Sequence, residues 1–229
     1  KNKMPQTKTD SVKEFDFTGK DFERVRAMIY KRAGIALAEH VKKLSGPITI
    51  WCSASSTGEE PYSIAMTVCE AFNTLTPPVT IIATDIDTNV LATAANGVYN
   101  LDRLDKMPAD RARRFFLRGK GDREGQVRVR PELRQMITFK PLNLLADSWP
   151  LTGQFDVIFC RNVMIYFDKA TQRKILSRFV PLMKPDALLF AGHSENFLYV
   201  SDSLKLRGKT VYELDQPRGA APKASSHRT

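Results

Sequence analysis

No stretch of this sequence is apolar over the roughly 20 residues that a membrane-spanning helix needs. The opening residues, KNKMPQTKTD, hold no apolar core and do not read as a secretory leader, so a cytoplasmic protein is the expectation. Cysteine is scarce: Cys52, Cys69 and Cys160 are an odd number without metal-ligand spacing. Two of them fall in apolar runs, which points to core packing and not to disulfide or metal chemistry. Histidine is equally scarce, with three in 229 residues and His227 near the end, so no zinc centre is expected. The most informative absence is of cations. Residues 46–100 contain no Lys or Arg and five acids, a charge of −5, although the whole chain carries +10. The flanking segments 1–45, 101–140 and 141–229 carry +5, +6 and +4. Such basic flanks attract nucleic acid or, by the same field, an acidic protein surface.

What is present reads as a globular α/β chain. A hydrophobic content of 42% with 26% charged residues is ordinary, and the length suits one α/β domain plus a small accessory region. Residues 1–14 are polar, an expected disordered tail. Thr18 and Asp21 resemble a capping box, and Phe22, Val25 and Ile29 follow at helical spacing to about Ala33, where Gly34 suits a helix stop. This N-terminal helical region spans residues 15–45. Its Lys20, Arg24, Arg26, Lys31 and Arg32 form a solvated face or a docking face.

From residue 46 the pattern changes. Ile48–Cys52 is a short apolar run read as a strand, Ser53–Glu60 a loop of small residues, and Pro61–Phe72 a helix. Pro77-Pro78 breaks the chain before a second strand, Val79–Ala83, closed by Asp85 and Asp87, and a helix over Thr88–Ala95. This β-loop-α-β order opens a doubly wound sheet. Residues of about 98–140 read as an inserted basic subdomain: a helix over Ala109–Phe116, glycine turns, and an alternating edge strand over Gln126–Arg130. Phe155–Cys160 returns to a buried strand, Asp168–Met183 to a helix, Lys184-Pro185-Asp186 to a turn, and Ala187–Ala191 to a strand. Leu204–Leu206 and Thr210–Leu214 flank Arg207-Gly208-Lys209 as a hairpin, and residues 216–229 are an expected disordered tail. The principal domain therefore covers residues 46–215.

Three segments are candidates for chemistry. In strand–SASSTGEEP–helix, small residues let backbone approach a nucleotide-like cofactor. Gly58 is its only glycine, so taken alone it is equally an ordinary βα connection. Asp85 ends the next strand, where a carboxylate can accept both hydroxyls of a ribose. A pyrophosphate favours helix N–H groups and positive charge, and Glu59 and Glu60 offer the opposite. S-adenosylmethionine has no phosphate and carries a sulfonium and an ammonium, which carboxylates suit; a nicotinamide cofactor is the poorer match. In FCRNVMIYF, residues 159–167, Arg161 ends an apolar run where burial demands a partner, for which a cofactor carboxylate is one candidate. Tyr166 could reach a reaction centre. A capping arginine and a core tyrosine would account for this segment equally.

GEEPYS (58–63), ATDID (83–87), FCRNVMIYF (159–167) and AGHSENF (191–197), in this order, resemble the chemotaxis receptor methyltransferases of the CheR type, over about Glu39 to Leu214 and more loosely over Phe15 to Leu37. The resemblance implies a Rossmann-like methyltransferase sheet with a small inserted β-subdomain behind a helical N-terminal domain. It implies S-adenosylmethionine as donor, S-adenosylhomocysteine as product, and glutamates of methyl-accepting chemotaxis receptors as acceptors. The enzyme would then be a cytoplasmic protein-glutamate O-methyltransferase recruited to receptor arrays. A receptor C-terminal tail and a regulatory adaptor are left open as further partners, and a monomer is expected. Carried over by motif, Glu60 and Asp85 hold the cofactor, Asn143 and Leu144 of PLNLL contact its adenine side, and Arg161 and Asn162 hold further parts of it. Tyr166 stands beside the transferring methyl, with Arg161 counted as catalytic too. His193, Ser194 and Glu195 are motif residues, His193 as loop support.

The sequence departs from the family at one place. Gly34-Ile35-Ala36-Leu37-Ala38 runs directly into Glu39-His40-Val41, where the family has a longer N-terminal domain that includes an Asn-x-Thr-x-Phe-Phe-Arg motif. The N-terminal region is thus expected to be truncated. Three further function classes compete: a cofactor-binding module without turnover, a nicotinamide dehydrogenase, and a nucleic-acid methyltransferase, for which no Pro-Pro-Tyr-type motif or Cys beside Pro is found.

Overall fold

A computed structural model of the chain describes residues 32–197 and 200–215. The apolar runs become parallel strands, β1 (Ile48–Cys52) and β7 (Phe155–Cys160) buried almost throughout and β2 (Val79–Asp85) and β8 (Met183–Ala191) over most of their length, as strands covered by helices must be. A further parallel strand that the sequence reading does not include, β6 (Ile137–Pro141), lies at the sheet edge and is largely exposed. With β9 (Leu204–Gly208) and β10 (Val211–Leu214) these strands form a seven-stranded sheet of order β6-β2-β1-β7-β8-β10-β9. Pairing is parallel from β6 to β8 and antiparallel at β8-β10 and β10-β9. A second sheet of order β3-β5-β4 comes from β3 (Val98–Asn100), β4 (Phe116–Arg118) and β5 (Gln126–Val129), all antiparallel. This is the doubly wound sheet with an inserted β-subdomain expected from the sequence.

The helices are α1 (residues 32–41, as described), α2 (Glu59–Ala71), α3 (Thr88–Asn96), α4 (Ala109–Phe115), α5 (Pro131–Gln135) and α6 (Lys169–Phe179). None is long and apolar enough to cross a membrane. Alternation along β1 divides the core. Ile48, Ile50 and Cys52 face a cluster with Leu37 and Val41 of α1 and Tyr62, Ala65 and Cys69 of α2. Trp51 points the other way, onto Ile175, Leu176 and Phe179 of α6. There its ring meets Phe179 at 5.0 Å and Trp149 at 5.5 Å, both near edge-to-face, the arrangement aromatic quadrupoles prefer. All three cysteines are free and buried.

The strand order reverses around β1, which pairs with β2 on one side and β7 on the other. In open α/β sheets this switch point opens a crevice beyond the carboxyl ends of the strands. The chain places its motifs there.

Four local expectations change. The helical segment over residues 18–31 lies outside the described residues, but α1 runs through Gly34 and does not stop there. The reason is packing: Leu37 and Val41 of the same helix are buried in the core, and that tertiary burial overrides the local stop signal. The same helix passes unbroken across the Ala38–Glu39 junction, with Leu37 and Val41 buried on either side of it. β5, read as an edge strand, is the central strand of its sheet. Its alternation of buried Val127 and Val129 with exposed Arg128 reflects one solvated face, not an edge. The helix expected to reach Met183 ends at Phe179, because a 3₁₀ turn over Val180–Leu182 accommodates Pro181. Lys184-Pro185-Asp186, read as a turn, lies within β8, where its register to β7 shifts between Phe155 and Val157.

Candidate functional site

The site is built from loops at the carboxyl ends of β1, β2, β6 and β7. After β1 the chain bridges its neighbours: Ser53 N–H donates to the Phe159 carbonyl of β7 and Ser55 N–H to the Thr84 carbonyl of β2, both at 2.9 Å. Ser56 takes a left-handed φ of 46° and Gly58 one of 98°. Gly58 is required there, since a Cβ would meet the Tyr99 hydroxyl at 2.8 Å and Ala94 Cβ at 2.9 Å. The hydroxyl of Ser55 is buried and has no partner among the described residues.

Asp85 closes β2 with its carboxylate turned to backbone: Oδ2 accepts Ser56 N–H at 2.8 Å and Oδ1 accepts Asp87 N–H at 3.1 Å. Asp87 in turn caps α3 by accepting Asn89 N–H at 2.8 Å. The carbonyl of Asp85 accepts Leu142 N–H at 2.9 Å, bringing the loop after β6 alongside. In that loop Asn143 is exposed and accepts Leu145 N–H through Oδ1 at 2.9 Å, and Leu144 is buried.

Glu60 and Arg161 meet beneath this crest. Arg161 Nη1 donates to Glu60 Oε1 at 2.5 Å, and both side chains are almost wholly buried. Arg161 is thus paired with a glutamate from α2, which meets the demand that burial places on its charge. Cys52 Sγ donates to the other oxygen of Glu60 at 3.5 Å. Burial pushes the Glu60 carboxyl above its ordinary range, and the Arg161 charge and hydrogen bond pull against that. Burial and the neighbouring Glu60 push the Cys52 thiol well up, so it is no nucleophile.

The turn after β7 depends on Glu195. Its Oε1 accepts Val163 N–H at 3.0 Å and Met164 N–H at 2.7 Å; Oε2 accepts Asn162 N–H at 3.0 Å and Gly192 N–H at 2.5 Å. Four amides converge on one buried carboxylate. Gln172 of α6 adds a further tie, donating to the Met164 and Phe167 carbonyls at 2.9 and 3.0 Å. The turn thereby holds Asn162 at a left-handed φ of 59° and presents Tyr166, 77% exposed, from a short 3₁₀ helix. His193 and Ser194 are exposed on the facing turn. Ile86, Leu145 and Ile165 are also at least 49% exposed, an apolar rim above the carboxyl ends of β2, β6 and β7.

The structure therefore brings Glu60, Asp85, Asn143, Leu144, Arg161, Asn162 and Tyr166 to one end of the sheet. Of these, Glu60 and Arg161 form an ion pair inside it. The loop is tied to Asp85 and offers the unpartnered Ser55 hydroxyl, and the segment behind it has no cation. This donor set fits a cationic, phosphate-free nucleoside cofactor. Two residues had roles that sequence reasoning missed. Glu195 was flagged as a motif residue, and an acid in a small-residue turn after a buried strand was the available signal. Tyr99, whose hydroxyl donates to the Thr57 carbonyl at 2.7 Å, gave no signal.

Residues 17–212 match the family described as CheR methyltransferase, SAM binding domain. The chain is 55% identical over 166 residues to chemotaxis protein methyltransferase 2 of Pseudomonas aeruginosa, covering 72% of this chain and 59% of that protein. To the chemotaxis protein methyltransferase of Escherichia coli K12 it is 52% identical over 180 residues, covering 79% and 63%. To that of Klebsiella aerogenes it is 53% identical over 182 residues, covering 80% and 63%. The chain thus spans about three-fifths of the length of these curated relatives.

Proposed function

The chain belongs to the CheR methyltransferase family, and from that premise we propose that it transfers a methyl group from S-adenosylmethionine to glutamate side chains of chemotaxis receptors. The observation that carries this reading is the convergence of all four family motifs on the carboxyl ends of the parallel strands, the first two of them in a segment without cations. Bound there, the cofactor supplies an electrophilic methyl on a sulfonium.

Asp85 and Asn143 are the polar groups at the crest suited to the ribose and adenine side, with Leu144 below and Ile86 and Leu145 as apolar cover. Glu60 and Arg161 act as a buried strut that fixes the start of α2 against the end of β7. Asn162 and Tyr166 face the crest from the turn that Glu195 holds. A substrate glutamate has a reference pKa of about 4.3 and is already a carboxylate at neutral pH, so no general base is required. What the chain must do is align a carboxylate oxygen within about 3–3.5 Å of the methyl carbon and exclude water. With the cofactor bound, the carboxylate oxygen would take the methyl as the S–C bond gives its electron pair to sulfur, leaving a methyl ester and a neutral thioether. Tyr166 orients the carboxylate, so Tyr166→Phe lowers turnover more than cofactor affinity. The exposed basic residues of the inserted subdomain, among them Arg113 of α4 and Arg118 and Arg128 of its sheet, offer a surface for acidic receptor helices.

The test is transfer of labelled methyl from S-adenosylmethionine to chemoreceptor membranes, scored by base-labile release. Base-labile label, weakening as salt rises, supports the reading; no label argues against it. A second reading is favoured by α1, which runs packed and unbroken across the Ala38–Glu39 junction: a module that binds cofactor without turnover. S-adenosylhomocysteine binding in the absence of transfer would single it out.

A further inference from the structure

The loop after β1 is held from two directions. On the side of β2, Asp85 accepts Ser56 N–H. The next residue is held by the inserted subdomain, whose Tyr99 hydroxyl donates to the Thr57 carbonyl at 2.7 Å. Tyr99 is the middle residue of β3, which pairs with β5 and so belongs to the basic three-stranded sheet. Its ring stands edge-to-face on Tyr62 of α2, with centroids 6.2 Å apart at 83°. Tyr62 in turn donates to the Ala94 carbonyl of α3 at 2.7 Å. Gly58 completes the fit, since any side chain there would collide with the Tyr99 hydroxyl. A second, solvent-screened link runs the same way, with Arg103 Nη1 lying 3.6 Å from Glu59 Oε1. Burial pushes the Tyr99 hydroxyl far above its ordinary range, so it remains a neutral donor at every working pH.

We infer that Tyr99 is a positioning residue through which the inserted basic subdomain sets the shape of the cofactor loop, so that an acidic protein surface docked on the subdomain and the cofactor bound at the loop alter each other's affinity. The inference rests on the reading of the crest as a cofactor site. The physical basis is register. β3 is fixed by backbone pairing to β5, and the Val129 N–H of β5 donates to the Gly97 carbonyl at 2.9 Å. A shift of the small sheet therefore carries the Tyr99 hydroxyl with it, and the Thr57 carbonyl must follow or lose its partner. Two ligands that bias one such element are coupled reciprocally.

The experiment compares the full wild-type chain with Tyr99→Phe and Tyr62→Phe. Both variants lose one hydroxyl-to-carbonyl bond in the same aromatic cluster, but only Tyr99 reaches the loop. Calorimetric titration with S-adenosylhomocysteine is expected to give a Kd about fivefold higher or more for Tyr99→Phe and within about twofold of wild type for Tyr62→Phe. Amide hydrogen exchange without ligand is expected to accelerate at residues 56–58 in Tyr99→Phe alone. Equal losses of affinity in the two variants, or unchanged exchange at 56–58 in Tyr99→Phe, overturn the inference. If the wild-type chain binds no S-adenosylhomocysteine, the reading of the crest fails, and the exchange comparison still decides whether Tyr99 holds the loop.

Discussion

Two loops face each other across the crest, and they are held in opposite ways. The loop of residues 53–58 is tied at four points to three elements: β7 through Phe159, β2 through Thr84 and Asp85, and the inserted sheet through Tyr99. The turn of residues 161–166 is tied chiefly at one point, the Glu195 carboxylate, which takes three of its consecutive amides. Distributed ties fail one at a time and can be adjusted by whatever moves the elements that supply them. A concentrated tie makes a rigid turn that fails all at once. The molecule thus pairs an adjustable wall with a fixed one.

Substitutions can break this contrast, and the largest effect is expected at the fixed wall. Glu195→Ala strands four amides and should cost about 4 kcal/mol in urea unfolding, with S-adenosylhomocysteine binding lost together with it. Next comes the strut between the two walls. Arg161→Met leaves Glu60 buried without its cation and should cost about 3 kcal/mol at neutral pH. The pH dependence has a definite sign. A carboxyl whose folded pKa lies above its ordinary 4.5 contributes stability below that value and loses it as pH rises through the folded pKa. Removing the arginine raises the folded pKa further, so the deficit of the variant should narrow toward pH 4.5; a deficit constant with pH would deny the strut its electrostatic part.

The adjustable wall should respond in affinity before stability. Asp85→Asn replaces a charged acceptor by a neutral one and is expected to weaken S-adenosylhomocysteine binding about tenfold, with less than about 1 kcal/mol lost in unfolding. A large loss of stability there would erase the distinction between the walls. The smallest effect is expected below the fixed wall, at the cap of α6. Asp168 accepts Thr171 N–H at 2.7 Å, and that bond holds its pKa below the ordinary 3.8. Its contribution is present above 3.8 and fades as pH falls through the lowered value. Asp168→Ala should therefore lower Tm slightly at neutral pH, with the difference closing in acid.

The sheet was readable wherever burial on both faces wrote an uninterrupted apolar run, as in Ile48–Cys52 and Phe155–Cys160. It was unreadable where tertiary pairing overrode local signals. Pro185 within β8 looked like a turn residue, and three-residue strands such as β3 carry too little pattern to order a sheet. The site divides similarly. Asp85 and Tyr166 are visible because strand ends and motifs mark them. The union of Glu60 with Arg161, 101 residues apart, and of Tyr99 with Thr57, 42 apart, depends on topology that no local window contains. The acidity of residues 46–100 told what kind of ligand the crest suits but not which carboxylate would turn inward.

The terminal hairpin bears on how the protein is made. β10, residues 211–214, is inserted between β8 and β9, so a strand synthesised after all its sheet neighbours occupies an interior lane of the sheet. Until it leaves the ribosome, the edge of β8 at Leu188–Phe190 has no partner. A nascent chain stalled before Val211 presents that apolar edge as a template for strands of neighbouring chains. Arrival of β10, not formation of the parallel core, is the moment at which this edge becomes safe from aggregation.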